Sequence, residues 1–64
     1  HYRYRDEIRT VYCEANNHSQ HDQDVNKLLE DGYTLQETKV IPAASEDKPT
    51  MLFALLSRKV RVED

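Results

Sequence analysis

Histidines and a cysteine are the first residues in this 64-residue chain whose types could do chemistry. His18 and His21 stand three apart, with Cys13 upstream and Asp22 and Asp24 just behind. Imidazole, thiolate and carboxylate could together fill the tetrahedral shell of a zinc ion, which needs four donors. The second Cys of a common finger is missing, and the pair falls in a polar stretch. Two solvated loop histidines are therefore the ordinary reading, and no metal is expected; a metal-dependent module through His18 and His21 stays as an alternative. Cys13 with a histidine would be a nucleophile and base, but that needs about 3 Å between them and oxyanion donors in a cleft. A lone Cys is more often a small buried core residue. The single Gly leaves no glycine-rich phosphate loop, and the carboxylates are dispersed. No catalytic residue is assigned, no cofactor is expected, and the chain is read as non-enzymatic.

The second candidate is Tyr2-Arg3-Tyr4-Arg5 at the start of the chain, followed by Arg9. Aromatic and basic side chains alternating on a strand could stack a base and hold a phosphate. Arg58, Lys59 and Arg61 form a second basic group near the end. If the two ends of the chain lie side by side, these eight residues make one basic, aromatic corner able to bind an anionic nucleotide. The ordinary reading is a solvated edge whose cations pair with Asp6, Glu7, Glu63 and Asp64.

Charge patterning fits a local site better than a broad one. The formal net charge is −3. Residues 1–13 carry +1, residues 14–47 carry −6 and residues 48–64 carry +2. A strong, non-specific nucleic-acid binder would be net basic. With 33% charged residues and a mean hydropathy of −0.90, the chain has no apolar run near the ~18–20 residues a membrane span needs. Neither a span nor a signal peptide is expected, and a cytoplasmic location is. His1, standing where Met would begin a chain, is treated as a trimming or tag remnant and given no role.

The elements that position these residues follow from periodicity. Tyr2, Tyr4, Ile8, Thr10 and Tyr12 share one parity, and Arg3, Arg5, Arg9, Val11 and Cys13 the other. Period two with β-branched and aromatic residues predicts a strand over about 5–14. Ser19 and Asp22 resemble a capping box, Asp22 and Asp24 suit a first helical turn, and Val25, Leu28 and Leu29 form one apolar stripe. Gly32 supplies the stop, giving a helix over about 20–31. A second strand is predicted over about 33–41, a loop over 42–50, and the best strand over about 51–62. Met51–Leu56 is apolar on both parities, as a central strand covered on both faces would be.

Together these elements predict a single α+β domain, βαββ, with a three-stranded antiparallel or mixed sheet in the order 2-3-1 and one helix on one face. If the helix covers the side of Leu52, Ala54, Leu56, Val60 and Val62, then Met51, Phe53 and Leu55 point to the bare side. A chain this short buries only roughly 60% of its unfolded surface, and one Cys excludes an internal disulfide. A homodimer or higher oligomer through Met51, Phe53 and Leu55 is the expected remedy, because such patches mark interaction surfaces.

Val25-Asn26-Lys27-Leu28-Leu29-Glu30-Asp31-Gly32-Tyr33-Thr34-Leu35 resembles small bacterial and phage domain families of unknown function, in which a helix ends in Gly, an aromatic, any residue and Leu. Tyr33 stands where Trp is commoner. The final apolar strand of those families is matched by Met51–Arg58. The resemblance implies a βαββ sheet that tends to associate. Relatives are linked to sporulation or to phage accessory genes, and the families define no catalytic residues. The leading expectation is thus a binding module acting as a homo-oligomer, with a protein partner on the sheet face or the unpaired strand edges. The alternative is a nucleotide-sequestering protein of phage counter-defence type.

Overall fold

In the computed structural model, which describes residues 1–63, Arg3–Glu14 forms strand β1 and Ala15–Asn17 a 3₁₀ turn. His18–Glu30 forms helix α1, Thr34–Ile41 strand β2 and Met51–Val62 strand β3. Asp64, named above among the partners for the basic end, lies outside the described residues. The apolar run of β3 takes the central place, with β1 on one side and β2 on the other, both antiparallel to it. The α+β class and the 2-3-1 order are those expected. The β1–β3 ladder runs without a shift from Arg3 opposite Val62 to Glu14 opposite Met51. The β2–β3 ladder is shorter and carries an irregularity between Leu35 and Glu37.

The start of the helix differs from the sequence expectation. Ser19 is not an N-cap but lies inside α1, and Asp22 and Asp24 fall beyond its first turn. The 3₁₀ turn runs straight into the helix, and the His18 N–H donates to the Ala15 carbonyl. Backbone acceptors in this turn serve donors that a capping side chain would otherwise satisfy. At the other end the expected stop holds. Gly32 has φ of 92°, with Tyr33 N–H donating to the Leu28 carbonyl at 3.0 Å and Gly32 N–H to the Leu29 carbonyl at 3.1 Å. This is a Schellman closure, which requires the left-handed conformation glycine adopts freely.

Val25 and Leu28 on α1 pack with Val11 of β1 onto Tyr33, Ala54 and Leu56. The helix therefore covers the Leu52/Ala54/Leu56 side. It lies over β1 and β3 and leaves β2 exposed along its whole length, including Leu35 and Val40. Only Tyr33, Ala54 and Leu56 are buried hydrophobics among the described residues. β2 stops pairing at Ser57, so β1 from Arg3 to Glu7 and β3 from Arg58 to Val62 continue as a two-stranded arm. The molecule is accordingly slender, 54 × 20 × 15 Å.

Candidate functional site

Residues opposite one another in an antiparallel ladder share a face. Met51, Phe53 and Leu55 are thus joined, on the side away from α1, by Glu14, Tyr12 and Thr10 of β1 and by Ile41, Lys39 and Glu37 of β2. Ile8, opposite Ser57, extends the same face. Tyr12 meets Phe53 edge to face with ring centroids 6.5 Å apart. Met51, Phe53 and Leu55 are only half-buried, and around them Ile8 is 54% exposed, Tyr12 58% and Ile41 39%. The structure therefore brings the three expected residues together on an uncovered face. It adds Ile8, Tyr12 and Ile41, which periodicity had placed on strands without saying which would meet β3.

The basic ends do come side by side, but the pleat divides them. Arg3, Arg5 and Arg9 lie opposite Val62, Val60 and Leu56, and Arg58 lies opposite Glu7, all on the helix side of the sheet. Lys59 and Arg61 lie opposite Asp6 and Tyr4 on the open side. The single basic corner is in this way two groups on two faces. Several of its cations have local partners. Lys59 pairs with Asp6 at 2.9 Å, Arg61 pairs with Glu63 at 3.3 Å and stacks on the Tyr2 ring at 4.2 Å.

Arg58 belongs to a polar cluster in which Glu7, one of the acidic partners expected for the basic ends, is joined by Tyr33, which the pattern of residues did not tie to it. Its Nη2 is 2.9 Å from Glu7 Oε1, its Nε donates to the same oxygen at 3.1 Å, and its Nη1 donates to the Asp31 carbonyl at 2.7 Å. The guanidinium also lies over the Tyr33 ring, 4.5 Å from its centroid. The Tyr33 hydroxyl donates to Glu7 Oε1. These bonds clamp the C-terminal end of α1 to β1 and β3. The Tyr33 hydrogen bond, and then the Arg58 charge, hold the Glu7 carboxyl below the usual carboxylate range against the opposing effect of partial burial. Arg9 is pushed upward by Tyr33 and then by Glu7. The groups of the cluster bond to one another and to the Asp31 carbonyl within the domain. Only the register unites Glu7, Tyr33 and Arg58, so no spacing in the chain could reveal them.

His18 is exposed, and His21 is half-buried with Nε2 shielded and without a hydrogen-bond partner among the described residues. The half-buried Cys13 Sγ reaches the Asn17 carbonyl at 4.0 Å. Among the described residues no group of three or more His, Cys, Asp or Glu side chains is placed to hold a metal. No helix among them is long and apolar enough to cross a membrane. What the fold and surface define is a small α+β domain with one covered and one open sheet face. No protein-family model, curated protein or solved structure matches the chain.

Proposed function

We propose that the chain acts as a non-enzymatic interaction module, a homo-oligomer whose copies meet through the open face of the sheet. One observation carries this reading: Ile8, Tyr12 and Ile41, all substantially exposed, border the half-buried Met51, Phe53 and Leu55 on one side of a domain with three buried hydrophobics among the described residues. Contiguous apolar surface of this kind marks an association site. Sheets packed face to face bury such rows about 10 Å apart. Light scattering at micromolar concentration is expected to give a multiple of 7.6 kDa. Phe53→Asp is expected to break the open-face contact and lower the mass, with secondary structure kept. A chain that scatters as 7.6 kDa at every concentration overturns the reading. Nucleotide capture by the basic ends is less well supported, because Arg58, Lys59 and Arg61 all have acidic partners at 2.9–3.3 Å.

A further inference from the structure

A different part of the molecule, the outer edge of β1, offers a second and independent contact. β1 and β2 are the two edge strands of the sheet. Natural sheets blunt exposed edges with short strands, bulges, charges or Pro. β2 shows such features: it has eight residues, a register shift at Leu35/Glu37, and Pro42 directly after its end. β1 has 12 residues, an unbroken ladder and no Pro, and its six charges are three of each sign (Arg3, Arg5 and Arg9; Asp6, Glu7 and Glu14), so a second copy can meet them with opposite charges.

Which groups of β1 face outward can be read from one hydrogen bond. Ala15 N–H donates to the Thr50 carbonyl at 2.8 Å, continuing the β1–β3 register by one step. Bonded pairs alternate in an antiparallel ladder. Hence Cys13, Val11, Arg9, Glu7 and Arg5 bond to β3, and Tyr4, Asp6, Ile8, Thr10 and Tyr12 turn their N–H and C=O groups to the free edge. Beside that edge runs a groove of about 430 Å³, lined by Thr10, Val11 and Tyr12 on the strand and by Asp24, Lys27, Leu28 and Asp31 on the helix side.

We infer that this edge is taken by β1 of a second copy, antiparallel and centred on Ile8, joining two three-stranded sheets into one of six. Charge selects the register. Centring on Ile8 sets Glu7 opposite Arg9 of the second copy, twice by symmetry, with Tyr4 opposite Tyr12 and Ile8 opposite itself. Centring on Glu7 or on Arg9 instead opposes two like charges at the axis, which is destabilising. In the Ile8 register Arg5 of the second copy lies opposite Val11, on the helix side, where Asp24 and Asp31 line the groove. The two-stranded arm of each copy thereby lies along the β1 edge of the other. A lone two-stranded ribbon is marginal in water, and this placement gives the arm a neighbour. The edge contact does not depend on the open-face contact proposed above, since the one runs in the plane of the sheet and the other across it.

Disulfide trapping tests the register. Arg3 falls opposite Cys13 of the second copy, in a non-bonded pair with Cα atoms about 4.5 Å apart, within disulfide reach. Arg3→Cys under mild oxidation is expected to run as a linked dimer at twice 7.6 kDa on a non-reducing gel. Arg5→Cys, whose new thiol would fall opposite Val11, is expected to stay unlinked. Arg3 and Cys13 lie on the helix side, so open-face packing cannot produce that link. Thr10→Pro removes an outward N–H without touching the β1–β3 ladder, and is expected to abolish trapping in the Arg3→Cys chain while leaving the circular dichroism spectrum intact. Linkage of both variants alike, or of neither, overturns the edge contact. If neither links while Phe53→Asp still halves the native mass, the edge contact fails and the open-face reading stands. If Arg3→Cys alone links and Phe53→Asp leaves the mass unchanged, the open-face reading fails and the edge contact stands.

Discussion

Leu55 and Leu56 are neighbours of one residue type on opposite faces of β3, and truncating each in turn separates the domain's own stability from its association. Leu56 is fully enclosed, packed with Ala54 and Tyr33 beneath α1. Removing a buried leucine's outer carbons loses their transfer energy and leaves a cavity, about 2–5 kcal/mol in all. A chain this long has a total stability of roughly 3–10 kcal/mol, so Leu56→Ala removes a large share of it. Leu55 is half-buried on the open face. Full burial of a leucine is worth about 1.5–3 kcal/mol, and less than half of that remains to be gained when a second copy covers it. Leu55→Ala therefore has a smaller cost in the isolated domain, plus a loss on the order of 0.5–1 kcal/mol per copy on association.

Urea denaturation over a series of protein concentrations reads both effects. Leu56→Ala is expected to lose its 2–5 kcal/mol at every concentration. A dimerising protein gains about 1.4 kcal/mol per mole of dimer, about 0.7 kcal/mol per chain, for each tenfold rise in concentration once copies pair. The Leu55→Ala deficit is thus expected to widen as the concentration enters the range where the wild-type chain associates. Equal, concentration-independent costs for the two variants would refute the assignment of the two faces. So would a Leu56→Ala cost under about 1 kcal/mol, far below that of a buried leucine.

Other predictions follow from local geometry. Gly32→Ala, at φ of 92°, is expected to cost about 1–2 kcal/mol in thermal melts, although a methyl group there meets nothing within 4 Å; an unchanged melt would contradict the Schellman closure. The depressed Glu7 carboxyl favours folding above its unfolded pKa, and that contribution is lost as pH falls through the folded value. Tyr33→Phe removes the largest cause of the depression and is expected to move the Glu7 titration, followed by carboxyl NMR shifts, to higher pH; no movement would remove Tyr33 from the clamp. Lys59→Ala breaks an exposed pair with Asp6, whose side chains are 69% and 55% exposed, and is expected to change stability by under about 1 kcal/mol in urea titrations.

How far this architecture was legible in the residues varied from element to element. The Met51–Leu56 run is apolar on both parities, and that feature alone sends β3 to the centre and fixes the strand order. Gly32 after the Val25/Leu28/Leu29 stripe marks the helix end because a left-handed residue is needed there. The helix start was not legible, since a 3₁₀ turn replaces side-chain capping with backbone bonds that leave no composition signal. The basic corner was half legible: adjacency of the chain ends follows from strand order, whereas the pleat that parts Arg58 from Lys59 and Arg61 depends on which parity faces the helix. The Glu7–Tyr33–Arg58 clamp joins residues 26 and 51 positions apart, and only the finished register brings them together.

If copies meet through the open face or the β1 edge, sedimentation equilibrium of the unaltered chain across the micromolar range is expected to give an average mass that climbs from 7.6 kDa to twice that value or beyond as concentration rises. A single 7.6 kDa species throughout would rule out self-association at either surface.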